Sequence, residues 1–403
     1  MSDGPIRAVA ADATHVFVAS ADHVAWGERS VALPGTIVAL AASGGLVVAA
    51  LSIADEHDVA GQRLATRGEP GAVLVALDVA TGAPKWRLPL DATEYALVTS
   101  LAAAPDGGVV VGGSFAGTLR AGETAGGAVE HEAPLGSLVS SAGKSDGFAL
   151  RVAPGGSLAW LIRVGGAGAD AVQGVAIAGN RVAIAGTFAA GAELAGVALP
   201  PFDDRLPFGD GFCAELDAAT GARVWSQTWG GKDDDSVAGV AITPSGRVAI
   251  AANLRATMRV GTGELRASGA GDGLVIWLQP TGDVAATTVL GGGDFDGLRA
   301  IAAVGEHAIA GGFFSGTIQL GAAKLVAGGG DDAFLASVAP SGAIERAWQV
   351  GGAGREEIAS IAALPGGFVA GVAHTADLAV DGAHLPAPAD PNNGAALLVR
   401  GIP

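Results

Sequence analysis

The side chains in this sequence best suited to chemistry are its carboxylates and histidines. An acid follows a double glycine four times at one spacing: Gly165-Gly166 with Asp170, Gly230-Gly231 with Asp235, Gly291-Gly292 with Asp296, and Gly351-Gly352 with Glu356. In each case the acid stands five residues after the first glycine. A carboxylate fixed in a turn can accept backbone N–H bonds and so tie one structural unit to the next, which is the role expected of these four. The rival chemistry is calcium, encouraged by Asp233-Asp234-Asp235 and Asp294-Phe295-Asp296-Gly297. A calcium loop, however, supplies more oxygen ligands at alternating positions than these turns carry.

Seven histidines are present, and five of them (His23, His57, His131, His374 and His384) fall on expected connections between strands. Two sit among acids, in Asp55-Glu56-His57-Asp58 and Glu130-His131-Glu132. Imidazole beside carboxylate can hold a transition metal or move a proton, so His57, Asp58, His131 and Glu132 form a candidate metal set. The bland alternative is that polar loops carry solvated polar side chains. A third candidate is Pro200-Pro201-Phe202-Asp203-Asp204-Arg205-Leu206-Pro207-Phe208, where Phe202, Asp203, Asp204, Arg205 and Phe208 form a stiff aromatic and charged loop suited to gripping a protein partner. The same aromatics could instead fold back on the body of the protein. No phosphate-binding glycine loop and no nucleophile elbow occurs, so no catalytic residue is assigned.

Composition bounds the fold that holds these residues. The chain has 403 residues, 65 of them Gly, with 50% hydrophobic and 16% charged residues. Glycine is costly to fix, and an apolar chain this rich in it uses it repeatedly in turns. The net charge of −17 leaves no basic stripe for nucleic acid or for an anionic membrane surface. One cysteine, Cys213, excludes an internal disulfide and a cysteine zinc site, and is expected to be a buried inert thiol. Residues 30–54 carry no charge over a span-like length, but Pro34-Gly35 and Ser43-Gly44-Gly45 cut them into strand-sized pieces, so no membrane insertion is expected. The first residues lack the basic-then-apolar layout of a leader, which makes the cytoplasm the default and an extracellular site the alternative if a leader was removed.

A second anchor recurs with the acids: Asp146-Gly147-Phe148, Asp210-Gly211-Phe212, Asp272-Gly273-Leu274 and Asp332-Ala333-Phe334, with weaker copies at Gly71-Ala72-Val73 and Asn393-Gly394-Ala395. Between anchors, short apolar runs alternate with tight-turn residues, which is β patterning. Seven small-residue inner strands begin near Ile6, Ile37, Val98, Val172, Val237, Leu298 and Ile358. The expected fold is all-β: a single seven-bladed β-propeller domain over 1–403 with mostly four-stranded antiparallel blades, at about 5–35, 36–90, 97–164, 172–229, 236–290, 298–350 and 358–400. Blade 7 has residues for three strands, with a fourth expected only if the N-terminal segment supplies it. Trp86, Trp160 and Trp225 fall at one equivalent position and are expected to pack between blades.

The run Asp210-Gly211-Phe212-Cys213-Ala214-Glu215-Leu216-Asp217, followed by Gly221, Trp225, Gly230-Gly231 and Asp235, resembles the SBBP-type β-propeller repeat. Gly239-Val240-Ala241-Ile242, Ser245-Gly246, Val248-Ala249-Ile250 and the insert Phe314-Ser315-Gly316-Thr317-Ile318-Gln319-Leu320-Gly321 extend the likeness over roughly 71–400. The resemblance implies a scaffold, often extracellular, with no catalytic motif to carry over.

With strands A to D antiparallel in order, the A–B and C–D turns share one face and the B–C and D–A connections share the other. The tight turns belong to the first face, and the long B–C insertions, roughly 18 to 31 residues in blades 2 to 7, to the second. Long connections on a rigid body are where binding resides, so any site is expected on the B–C face. The expected function is a non-catalytic, monomeric binding or scaffolding propeller that engages a protein or peptide and needs no cofactor. The alternatives are a metal-assisted lyase or hydrolase using the histidine and carboxylate loops with a calcium or transition-metal ion, and a lectin-like carbohydrate-binding propeller.

Overall fold

The computed structural model describes residues 6–54, 57–59, 62–64, 69–122, 138–202, 209–233, 235–380, 383–388 and 394–401. Seven inner strands line the axis: Ala8–Ala11, Thr36–Ser43, Tyr95–Ala103, Ala171–Ala178, Ser236–Ile242, Gly297–Val304 and Glu356–Leu364. Each begins one blade, and each blade runs outward in sequence order with every neighbouring pair antiparallel. The arrangement is a seven-bladed β-propeller. Small side chains and glycines let the inner strands crowd the axis. A β-carbon on Gly174 would stand 2.9 Å from Gly239 Cα in the next blade. In blades 2 to 7 strand A also carries a bulge at one place, as between Val98 and Ser100 or Val172 and Gly174, which bends it around the hub.

Strand C is the apolar heart of each full blade. Gly71–Asp78, Asp146–Val152, Asp210–Asp217, Asp272–Leu278 and Asp332–Val338 are buried nearly throughout, because a neighbouring blade covers each face. The tryptophans pack between blades. Trp86 Nε1 donates to Pro154 O (3.0 Å), Trp160 Nε1 to Ala218 O (2.9 Å) and Trp225 Nε1 to Pro280 O (3.2 Å), each reaching from strand D to the C–D turn of the following blade. Cys213 is fully buried, and burial pushes its thiol far above the ordinary range.

The four-stranded expectation needs correction, since the sheets are mostly six-stranded. Four of them, in blades 2, 3, 4 and 6, hold six strands; blades 1 and 5 hold four, and blade 7 holds three. The extra pair is a hairpin from the B–C insert of the following blade. Thr118–Ala121 and Leu138–Ser140 of blade 3 add to strand D of blade 2 (Pro84–Ala92), and Thr257–Val260 and Gly263–Arg266 of blade 5 add to strand D of blade 4 (Arg223–Gly231). A free strand D would expose a row of unpaired backbone groups, and the hairpin covers it. Among the described residues, four inserts thus supply edge covers.

Blade 1 is short, with four-residue strands against mostly seven to nine in the other blades. Such strands span about 13 Å, roughly half the depth of an eight-residue neighbour. The deficit opens on the tight-turn face as a recess of about 1310 Å³ between blades 1 and 2, lined by His15, Trp26, Glu28, Arg29, Asp78 and Lys85 among others. Blade 1 also has a short B–C turn, Ser20-Ala21-Asp22, so His23 begins its strand C (His23–Trp26) rather than lying in a connection. His374 likewise ends strand B of blade 7 (Gly367–His374), while His57 and His384 lie on insert strands. No helix among the described residues is long and apolar enough to cross a membrane.

Candidate functional site on the insert face

At the insert face, strand C of blades 3 to 6 opens on a buried aspartate. Its carboxylate takes an N–H from its own insert: Ala142 N to Asp146 (3.0 Å), Phe202 N to Asp210 (2.6 Å), Ser268 N to Asp272 (2.6 Å) and Gly328 N to Asp332 (3.2 Å). The acids of the glycine-glycine turns sit beside them, also buried. Asp170 accepts from Gly166 N (2.8 Å) and Ala189 N (2.7 Å), and Asp296 from Gly292 N (2.6 Å) and Ser315 N (3.0 Å), so each joins a connecting turn to the start of the next insert. Burial raises the pKa of Asp170, Asp296 and Glu356, and the neighbouring charge of Asp146, Asp272 or Asp332 adds to it against the pull of the N–H donors. Glu356 reaches about 7, with burial the largest cause, the charge of Asp332 next, and the Gly352 N–H pulling the other way. Asp235 occupies the same buried place in its turn.

The candidate metal set is not assembled from described residues. His57 and Asp58 lie on the short strand His57–Val59, while His131 and Glu132 fall outside the described residues. No group of three or more His, Cys, Asp or Glu suited to holding a metal occurs among the described residues. His374 Nδ1 is hydrogen-bonded to Ala376 O (2.8 Å). Of the aromatic loop, Asp203, Asp204, Arg205 and Phe208 also lie outside. Phe202 is described: it is half-buried, anchored to Asp210 by its N–H, and the Arg259 guanidinium lies 5.2 Å from its ring centre.

The same face carries a cluster that the motif reading passed over. Arg255 follows strand B of blade 5 (Val248–Leu254), Phe295 lies in the connection to blade 6, and Arg299 and Phe313 belong to strands A and B of blade 6. Arg255 lies over the Phe295 ring at 5.8 Å, Phe295 meets Phe313 at 5.6 Å, and Arg299 lies over Phe313 at 4.9 Å. Asn253 locks the two blades beneath them by accepting from Leu298 N (2.7 Å). A pocket of about 110 Å³ opens here. Phe295 is 44% exposed, an unusual state for a phenylalanine, and this is the signal that marks the cluster. Arg299 also meets Glu357 (3.2 Å), and both cations lie over aromatic faces.

Comparison with known proteins bears on the fold alone. Solved structures similar to this chain include BamB from Moraxella catarrhalis (14% identity, 90% of this chain and 92% of that one, TM-score 0.38). Others are the WD40 β-propeller domain of Doa1 (12%, 92% and 90%, 0.46) and Sqt1 from Saccharomyces cerevisiae (9%, 99% and 94%, 0.45). No protein-family model matches the chain, and no curated protein matches it. The SBBP likeness therefore rests on its motifs, while the seven-bladed arrangement stands on the structure.

The recess between blades 1 and 2 offers less chemistry than its size suggests. Most of its charged groups are occupied with the turns themselves. Asp12 accepts from Thr14 N and His15 N (both 2.7 Å), Arg29 donates to Ala80 O (2.7 Å) and Thr81 O (2.9 Å), and Lys85 pairs with Asp78 (3.1 Å).

Proposed function

We propose that this protein is a non-catalytic binding scaffold that engages a protein or peptide through its insert face, with Phe295 and Arg255 as the central anchors and Arg299 and Phe313 beside them. Phe202 stands at the hairpin of Thr257–Val260 and Gly263–Arg266, with Arg259 over its ring. One observation carries the reading: an exposed phenylalanine held between an arginine and a second phenylalanine, on a rigid junction of two blades. Aromatic and arginine side chains of this kind dominate binding energy at protein interfaces. In a chain of net charge −17, two arginines gathered at one junction favour a partner segment that presents carboxylates there.

The test uses peptides selected from a random display library on the intact chain. Replacing Phe295 and Arg255 together by alanine is expected to weaken the selected peptides at least about tenfold, the loss of one hot-spot contact. Glu28→Ala on the opposite face leaves their binding unchanged. Selection that yields no binder, or binders indifferent to the double replacement, would sink the proposal.

A further inference from the structure

Blade 7 is unfinished in a way the other blades explain. Its sheet ends at strand C, Gly394–Gly401, and among the described residues no strand pairs with the outer edge over Gly394–Val399. Blade 1 has no long insert to send a hairpin there. The pairing register places Gly394 where blade 3 has Asp146, one residue later than the sequence anchor Asn393, and so places Val399 where blade 3 has Arg151. Every residue from Gly394 to Val399 is glycine or apolar, as befits a strand C covered on both sides, yet only one side is covered. Ala396 and Leu398 join the core shared with blade 6, whereas Ala395 and Leu397 are partly exposed and Val399 is 57% exposed.

The neighbouring turns show what is missing. In blades 2 to 6 the glycine of the C–D turn packs against strand D of the preceding blade. Gly82 meets Arg29 and Val31, Gly156 meets Trp86, Gly221 meets Trp160, Gly282 meets Trp225, and Gly342 meets Ala286 and Thr288. In blade 1 the C–D turn is only Gly27-Glu28, and nothing lies within 4 Å of where a β-carbon on Gly27 would stand. Three of those five seats hold a tryptophan, and each such tryptophan sits opposite the strand-C residue equivalent to Val399: Ala76, Arg151 and Glu215.

We propose that blade 7 accepts an extended segment of a partner protein as its fourth strand, antiparallel to Gly394–Gly401, with a tryptophan opposite Val399 seated on Gly27. Backbone pairing along the edge gives affinity, and the tryptophan seat gives register and selectivity. A second copy of this chain offering its own Gly394–Gly401 has no aromatic side chain to reach Gly27. This interface is separate from the Phe295 cluster and stands or falls independently of it.

The experiment adds to the intact protein a synthetic peptide with the sequence of Leu158–Gly165, the strand D of blade 3 that carries Trp160. Saturable binding is expected, together with slowed amide exchange in 394–401. The same peptide with alanine in place of tryptophan binds at least ten times more weakly, and Val399→Lys in the protein weakens the parent peptide to a similar degree. Val399 is exposed, so that variant folds, and its circular dichroism checks this. Unaltered exchange in 394–401, protection appearing elsewhere, or equal affinity for the two peptides would overturn the proposal. So would edge protection already present in the chain alone and lost on dilution, which would assign the edge to a second copy.

Discussion

Glu356 is a turn acid whose proton is held well above the ordinary carboxylate range. Burial, then the charge of Asp332, pushes its carboxyl up to about 7 from an ordinary value of 4.5. A group whose folded pKa is raised favours the folded state most below its unfolded value, and that contribution is lost as pH rises through the folded one. The folded protein is therefore expected to lose stability between about pH 4.5 and 7, with Asp170 and Asp296 acting in the same sense at lower pH. Glu356→Gln removes most of the slope and raises the denaturant midpoint at pH 8. Urea titrations followed by tryptophan fluorescence at a series of pH values check this, and parallel profiles for the two proteins would show that Glu356 is not the source. The spacing of the acids was readable from sequence alone. Their pairing with the strand-C aspartates was not, because residues about 24 apart, such as Asp146 and Asp170, meet only once the blade is closed.

At the scale of the element, the hairpins decide how well each blade is sealed. Met258 and Val260 on the Thr257–Val260 strand are 1% and 4% exposed, so this small element buries real apolar surface. Met258→Ala is expected to cost about 2–3 kcal/mol, near the lower end for a buried Met→Ala change. It should also loosen amide protection at Trp229, Gly230 and Gly231, the residues the hairpin pairs with, before protection elsewhere in blade 4 is affected. Hydrogen exchange resolves this, and uniform loosening across the blade would mean the hairpin has no local role. Strand order, the tight turns and the tryptophan positions were legible from period-two patterning and turn chemistry. The hairpins were not read as strands, since runs such as Thr257-Met258-Arg259-Val260 are only four residues long and look like loop. A signal was present all the same. Gly117-Thr118-Leu119-Arg120-Ala121-Gly122 and Gly316-Thr317-Ile318-Gln319-Leu320-Gly321 share a bracketed pattern, with positive φ at both glycines of each, which marks a short strand with a turn at each end.

For the whole molecule, the ring closes because its inner strands carry almost nothing on their facing sides. Gly174 is the tightest test, since any β-carbon there meets backbone of the next blade. Gly174→Val should overpack the hub and cost about 1–3 kcal/mol, visible as a lower Tm without loss of β-sheet circular dichroism. An unchanged Tm would mean the hub has slack. The Phe295 cluster also belongs to this scale. Its members are spread over 59 positions, from Arg255 to Phe313, and no linear motif unites them, so only the packing of blade 5 against blade 6 brings them together.

The backward reach of the hairpins also fixes what can be treated as a transplantable piece. A fragment cut at the ends of blade 4, Ala171 to Gly231, would take with it the flap that shields its upstream neighbour and leave its own rim bare. Grafted into another ring, it would bring cover for whatever precedes it and depend on whatever follows. The self-sufficient piece is instead one blade plus the first half of the next, which staggers the unit of exchange by two strands from the unit that repeats.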